Sequence, residues 1–451
     1  MSDYQQKVSE RSKDKVFRRL IPFLMALMFV AYLDRISISY AGPNGMSADL
    51  GLSAKLFGTA AGIFFLGYIL FEIPSQAMLL KFGARRWIAR IMATWGVVQA
   101  LMAFAPNADT LIGLRFLLGV AEAGFAPAII AYLALWVPAR NRGAAITLFL
   151  ASTPIASILG APVAQILVST GTGSLAGWRV LFFVTGMLAV VCAILVLKRL
   201  PDHPRDARWL TSDEKKHLIE ESDVERQGHR SSGHRFTDAL KDYRAWVLGL
   251  GYFGLAYSAY ALTFFLPSLV KAFQSSFGIG FAPGTVIALN ATPFVVSLVS
   301  MLAIAHFADK FQKTGLFIML AAAIGSAGSL ISAFAQGPLT TMVGMCFIAT
   351  GFMSAMPLYF NLLPRFFNGA AAAAGIALVN SVGLVGGFSG PIATGWIIDA
   401  TGSYRLCWFV TAAIFLLSGF IALLSDRFSD PHATRGPAVV RIDPVKAPPT
   451  S

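Results

Sequence analysis

Long apolar runs separated by short polar ones fill most of this chain. A helix that crosses a bilayer needs about 20 mostly apolar residues. Twelve segments meet that length: 19–41, 55–79, 88–105, 110–137, 143–169, 178–198, 244–273, 284–308, 315–335, 339–363, 371–399 and 405–425. Several contain Gly and Pro, which helices tolerate better in a membrane than in water. The pattern predicts an all-α membrane protein with twelve transmembrane helices. The first run does not read as a cleaved signal peptide: it is too long, carries Asp34 and Arg35, and has no small-residue cleavage site after it.

The longest polar stretch, Arg199–Arg244, follows the sixth run. It divides the chain into an N-terminal arm (1–18), a six-helix half (19–198), a linker (199–243), a second six-helix half (244–425) and a tail (426–451). Within the linker, Thr211–Gln227 predicts a short surface helix with Ser212 as its cap and Asp213 and Glu214 in its first turn. The halves carry related turns, Lys81–Arg86 after the second run and His306–Lys310 after the eighth. Two six-helix halves joined by a central loop is the plan of repeat-built secondary transporters, with the substrate near the midplane between the halves. No catalytic domain lies outside the runs and no P-loop is present. The chain therefore reads as neither an enzyme nor an ATP-driven pump, and no cofactor or metal site is expected.

Composition sharpens this. The chain is 56% hydrophobic and 13% charged, against about 25% charged for a soluble domain. That excludes a soluble enzyme, a disordered chain and a secreted disulfide scaffold. The formal charge is +13, from 36 Lys+Arg and 23 Asp+Glu. The cations lie between apolar runs, which points to membrane topology and away from nucleic acid. With the basic arm (Lys7, Arg11, Lys13, Lys15, Arg18, Arg19) in the cytoplasm, alternation puts only Lys55, Arg179, Lys271 and Arg405 outside. Arg35 and Arg115 fall within spans, and the remaining roughly 30 lie inside. An even span number with both termini cytoplasmic follows. Cys192, Cys346 and Cys407 sit in apolar runs and read as small packed hydrophobes.

Charge inside a bilayer is costly and marks function by default. Asp34, Arg35, Glu72, Arg115 and Glu122 lie within runs, all in the first half. Arg115 and Glu122 are seven residues apart, so they share a helix face about 10 Å apart along the axis. Asp34 and Arg35 splay by about 100°, and Tyr32 shares the side of Arg35. These charges could simply neutralise one another and brace the bundle. Glu72, just before Pro74, could satisfy backbone donors at a bend. The functional alternative follows from chemistry. Arg keeps its proton, and its planar fork binds carboxylates bidentately, so Arg35 and Arg115 predict a small organic anion as substrate. Carboxyl groups in low dielectric can exchange protons near neutrality, so Asp34 and Glu122 are candidate proton carriers. A proton on the acid would remove a competitor for the arginine.

The strings Tyr32-Leu-Asp34-Arg35, Gly67-Tyr68-Ile-Leu-Phe-Glu72-Ile-Pro74-Ser75, Gly83-Ala-Arg85-Arg86-Trp87-Ile-Ala-Arg90 and Arg115-Phe-Leu-Leu-Gly119-Val-Ala-Glu122-Ala-Gly124 resemble the anion:cation symporters of the major facilitator superfamily. So do the segment Leu200–Thr211 and Gly375-Ile-Ala-Leu-Val-Asn380-Ser381. The nearest likeness is to the branch for tartrate, phthalate and related organic acids. The resemblance implies the twelve-helix fold, alternating access and proton symport. It assigns protonation to Asp34 and Glu122, anion binding or gating to Arg35 and Arg115, cavity aromatics to Tyr32, Tyr68 and Tyr260, and second-half polar contacts to Asn380 and Ser381. Ser37 and Leu384 replace asparagines usual in that family, and Thr153 stands where galactonate-type members carry Gln. These losses lean away from a sugar acid and toward a less hydroxylated or aromatic one. Gly83, Arg85 and Arg86 match the signature loop, with an expected conformational role. The resemblance also implies a bacterial inner membrane, and a functional monomer is expected. A drug/proton antiporter and a sodium-coupled anion symporter are the alternatives; the former is weakened because Gly160-Ala-Pro162 lacks the doubled glycines of such exporters.

Overall fold

A computed structural model describes residues 3–171, 175–230, 242–277, 280–363, 366 and 370–428. The expected tail 426–451 and the linker stretch 231–241 therefore lie largely outside the described residues. The side chains of Ala370–Ala374 lie outside them as well.

The regular elements are helices: α1 (Asp3–Arg19), α2 (Ile21–Ala41), α3 (Ala54–Phe82), α4 (Ala84–Met102), α5 (Ala108–Glu122), α6 (Phe125–Trp136), α7 (Ala139–Ser169), α8 (Gly177–Arg199), α9 (Ser212–Arg230), α10 (Tyr243–Phe277), α11 (Pro283–Phe311), α12 (Thr314–Phe334), α13 (Pro338–Leu362), α14 (Ala370–Thr401) and α15 (Arg405–Phe428). Short helical turns at 42–46, 47–49 and 204–206 complete them. Among the described residues, eleven helical stretches are long and apolar enough to cross a membrane. The twelfth expected span is α4, which carries Arg85, Arg86 and Arg90 in its first two turns. It nevertheless packs within the bundle, against α5 and α8, with Ile88, Trp95 and Met102 buried.

The run at 110–137 is not one helix. It breaks at Ala123–Gly124, where Gly124 takes a left-handed φ of 82°. Glycine populates that region freely because it has no Cβ. A Cβ here would also meet Ser75 Oγ of α3 at 2.6 Å. The Gln76 side-chain amide donates to Gly124 O at 2.9 Å, beside the bond that this carbonyl accepts from Ala128 N at 2.9 Å, and so ties α3 to the break.

Buried apolar side chains form two clusters. One runs from Val16 to Leu218 and includes Phe264 and Phe265; the other runs from Ala245 to Ala422. Large apolar side chains such as Val97, Leu101, Val191, Val299, Leu302 and Leu320 stay exposed on the outer faces, as a lipid-facing surface requires. The two halves meet where α3 packs on α14, α7 on α11 and α2 on α10. Glycines allow the closest approach. A Cβ on Gly58 or Gly62 would lie 2.2 Å or 2.4 Å from the carbonyls of Pro391 or Phe388. Asp399 accepts from the backbone N–H groups of Ala54 and Lys55, both at 3.0 Å, and Lys271 donates to Pro43 O. All these contacts lie at the end of the bundle far from the linker. Toward the linker end, α3 loses this cover, and Leu70, Phe71, Ile73 and Leu80 are exposed.

The linker helix α9 begins as expected but with a different cap. Thr211 Oγ1 accepts from Glu214 N at 3.4 Å, and Glu214 Oε2 accepts from Thr211 N at 2.9 Å. This is a capping box on Thr211, in place of the expected Ser212. Lys15 of α1 donates to Glu214 at 2.8 Å and Tyr4 to Asp213 at 2.6 Å, so the arm and the linker hold each other.

Candidate functional site

Four of the five intramembrane charges converge where α2, α3 and α5 meet. Asp34 and Arg35 splay as helical geometry requires. Asp34 points into the first half and is fully buried. Trp95 Nε1 of α4 donates to its Oδ2 at 2.7 Å. Gln99, one turn on, donates to the Asp34 carbonyl at 3.5 Å and to Thr185 Oγ1 of α8 at 3.2 Å. Arg35 points the other way, toward α5, and its Nη2 pairs with Glu122 Oε1. The Arg35 side chain keeps 14% exposure while that of Glu122 keeps 1%. Glu122 is the last residue of α5, immediately before the break. Its Oε2 and Arg35 Nε are buried with no hydrogen-bond partner among the described residues.

Arg115 shares the buried face of α5 with Glu122 and makes no described bond to it, as the seven-residue spacing implies. It is wholly buried. Its Nε donates to Ala60 O at 3.0 Å and its Nη2 to Ala61 O at 3.4 Å, both on α3. α5 can come this close because Gly119 faces α3; a Cβ there would lie 1.9 Å from Phe64 O. Phe64 sits between the two guanidiniums, with Arg35 Cζ 5.0 Å and Arg115 Cζ 5.2 Å from its ring centroid. Both distances fall within cation–π range.

The three tyrosines expected at the site all lie within electrostatic reach of Arg35. Tyr68 lies with its ring centroid 5.8 Å from Arg35 Cζ. Tyr260 of α10 brings the second half into contact, its ring 4.4 Å from that of Phe65. Tyr32 is buried, with Ser157, Thr263, Tyr260 and Arg35 as its polar neighbours. Asn380 and Ser381 are half-buried on α14, and no described hydrogen bond joins them to Arg35, Arg115 or Glu122. Ser37 donates to Leu33 O of its own helix at 2.7 Å. Glu72 is half-buried on α3, one turn beyond Tyr68.

Sequence reasoning missed Trp95, Gln99 and Thr185, which surround Asp34, and Ser75 and Gln76, which hold the break. A lone Gln inside an apolar run, four residues after a Trp, was the available signal.

A chain with this arrangement has known relatives. The family model for the Major Facilitator Superfamily matches residues 24–388. A protein of Agrobacterium vitis named "Putative tartrate transporter" is 39% identical over 92% of this chain and 91% of its own. A "Quinolone resistance transporter" of Acinetobacter baumannii is 35% identical over 89% and 90%. Among solved structures, a bacterial homologue of the human lysosomal transporter Spinster, inward-facing and occupied, superposes with a TM-score of 0.72 at 15% identity. It covers 93% of this chain and 98% of its own. Helical architecture, family match and long coverage agree: this chain is a multi-pass membrane transporter, not an enzyme, and belongs to the Major Facilitator Superfamily.

Proposed function

We propose that the protein imports an organic anion by proton symport through alternating access. The observation that carries this reading is the buried pair of Arg35 and Glu122 at the break after α5. An arginine fork is the natural ligand for a carboxylate, and here a protein carboxylate already occupies it. Protonation of Glu122 removes its charge and frees Arg35. The substrate carboxylate then takes the vacated donors. The loaded site carries one proton and one anion in place of the Glu122 charge, so its net charge is unchanged and no extra charge is left uncompensated in low dielectric. Deprotonation of Glu122 on the other side restores the pair and expels the anion.

The contacts between halves at the end far from the linker support the alternating-access part. With both termini and the linker in the cytoplasm of a bacterial inner membrane, this form is closed to the outside and opens inward. Asp34 serves as a second protonation site, and Arg115 holds α5 against α3. The two halves of one chain enclose the pathway, so a monomer suffices.

The test is uptake into proteoliposomes carrying a trapped pH dye. An organic acid should acidify the lumen together with its own entry, and Glu122→Gln should abolish that acidification. Entry that requires sodium, and stops when choline replaces it, would make the protein a sodium-coupled symporter. The relative named for quinolone resistance favours one further reading, drug/proton antiport. In that case the lumen would become alkaline as drug accumulates, and organic acids would have no effect.

A further inference from the structure

At the end far from the linker, two charged side chains of the second half hold the first half by its backbone. The first N–H groups of a helix find no partner within it. The cap of α3, Ser53, accepts from Leu56 N at 3.3 Å. The two N–H groups before that, on Ala54 and Lys55, donate to the two carboxylate oxygens of Asp399, near the end of α14, both at 3.0 Å. Gly395, one turn earlier on α14, lets the helices come this close; a Cβ there would lie 2.1 Å from Ala54 O. Lys271 of α10 makes the complementary contact. It donates to Pro43 O, in the helical turn that continues α2 and breaks at Asn44–Gly45. An anion thus sits at a helix start and a cation near a helix end, the favourable sense for both dipoles.

The same device recurs without crossing between the halves. Asp202, at the start of the linker, accepts from Arg85 N at 2.8 Å at the start of α4, and Asp426 accepts from Gly315 N at 2.9 Å at the start of α12. Those ties join helices that move together. Asp399 and Lys271 join helices that must part if the outer side is to open. Both are exposed, so on parting water takes over the two charges and the freed backbone groups. Exposed contacts of this kind bias an equilibrium without locking it.

We propose that Asp399 and Lys271 form an outer latch that favours the outside-closed form, and that its release opens the pathway to the outside. The first half contributes main-chain groups to it, and the second half contributes the charges. This inference rests on the proposed alternating access and assigns the bias between its two forms to named side chains.

The test reads opening directly and needs no substrate. Ser39 is buried and lines a cavity between the halves with Thr263 and Pro267. In full-length protein with Cys192, Cys346 and Cys407 replaced by alanine, Ser39→Cys is labelled in right-side-out vesicles by a membrane-impermeant maleimide added outside. Asp399→Asn and Lys271→Met should each speed labelling about 3- to 10-fold, and the two together more than either. Asp399→Glu, which keeps the carboxylate, should stay near the parent. Asp426→Asn, which loses the equivalent tie within the second half, should lower the melting temperature and leave labelling unchanged. Equal acceleration by Asp426→Asn would reduce the effect to loosened packing and overturn the latch. Gly395→Ala, which wedges α3 away from α14, should speed labelling whatever the latch does. If it does so while folded Asp399→Asn and Lys271→Met do not, the latch is wrong and alternating access stands. If none of these variants speeds labelling, the outer seam does not open, and the latch and the alternating-access reading fail together.

Discussion

Neutralising Glu122 is the most direct test of how the site works. In Glu122→Gln the side chain keeps its size and loses its charge. In the wild type an incoming anion must take the Arg35 donor that Glu122 Oε1 holds. A hydrogen bond involving a charged group contributes about 1.5–3 kcal/mol, and about 1.4 kcal/mol is a factor of ten in affinity. The variant should therefore bind the anion about 10- to 100-fold more tightly than the ionised wild type. The wild type reaches the same state by taking up a proton, so its affinity should rise as pH falls. The variant should bind equally across that range. The assay is thermal unfolding of the purified protein against an acid titration at pH 6, 7 and 8, since a ligand of the folded state stabilises it by mass action. Wild-type affinity at pH 8 matching that of the variant would refute competition for Arg35. A variant that still binds more tightly at low pH would move proton sensing to another group, with Asp34→Asn as the next comparison.

Other perturbations separate packing from binding. Arg115→Lys cannot bridge the Ala60 and Ala61 carbonyls as the guanidinium does; it should cost about 1–3 kcal/mol of stability, read as a lower melting temperature, with anion affinity changed by no more than a few-fold. Gly119→Ala should destabilise by about 1–3 kcal/mol or more, because the obstructing atom is the Phe64 backbone carbonyl. Gly113→Ala on the same helix, with nothing within 4 Å, should be harmless by the same melt. The Glu214 carboxyl is held below its usual range: partial burial opposes this, but hydrogen bonds from Lys15 and Thr211 outweigh it. A depressed carboxylate contributes its stability above the unfolded value, about 4.3, and loses it as pH falls through the folded one. Hydrogen-exchange protection in α1 and α9, taken relative to the intrinsic rate at each pH, should therefore be flat above pH 5 and fall below about pH 4, and Lys15→Met should remove much of that step.

The architecture was legible because a bilayer imposes its thickness on the chain: each apolar run had to be one span, and the runs could be counted. The exceptions share a cause. The run at 110–137 keeps its hydrophobicity through the break, and only the left-handed Gly124, clasped by Ser75 and Gln76, ends α5. Hydropathy does not register a single dihedral angle. The α4 span carries three arginines in its first two turns, which sets it apart from the other spans by composition while its packing does not. For the site, the charges were visible because each is costly where it stands. Their partners were not, because pairing depends on helix rotation and on which neighbour is close. Spacing put Arg115 and Glu122 on one face and splayed Asp34 from Arg35. It could not say that Arg35 reaches across to Glu122, that Arg115 spends two donors on the α3 backbone, or that Trp95 waits for Asp34.

The distribution of charge between the halves suggests why these pieces are arranged so. All five intramembrane charges belong to the first half, and the second half answers with Tyr260, Leu384 and Phe388. A site whose polar contacts were split between halves would break hydrogen bonds each time the halves rocked apart, leaving buried partners unsatisfied at a cost of about 1–3 kcal/mol each. Here the ion pair and its hydrogen bonds stay within one half through any such motion. Apolar contact with the other half is non-directional and can slide without that penalty. On this view the first half carries the charges, and the second meets them with a mostly apolar surface. Exchanging Leu384 or Phe388 for other apolar side chains should then retune which anion fits while leaving the response to pH with Glu122.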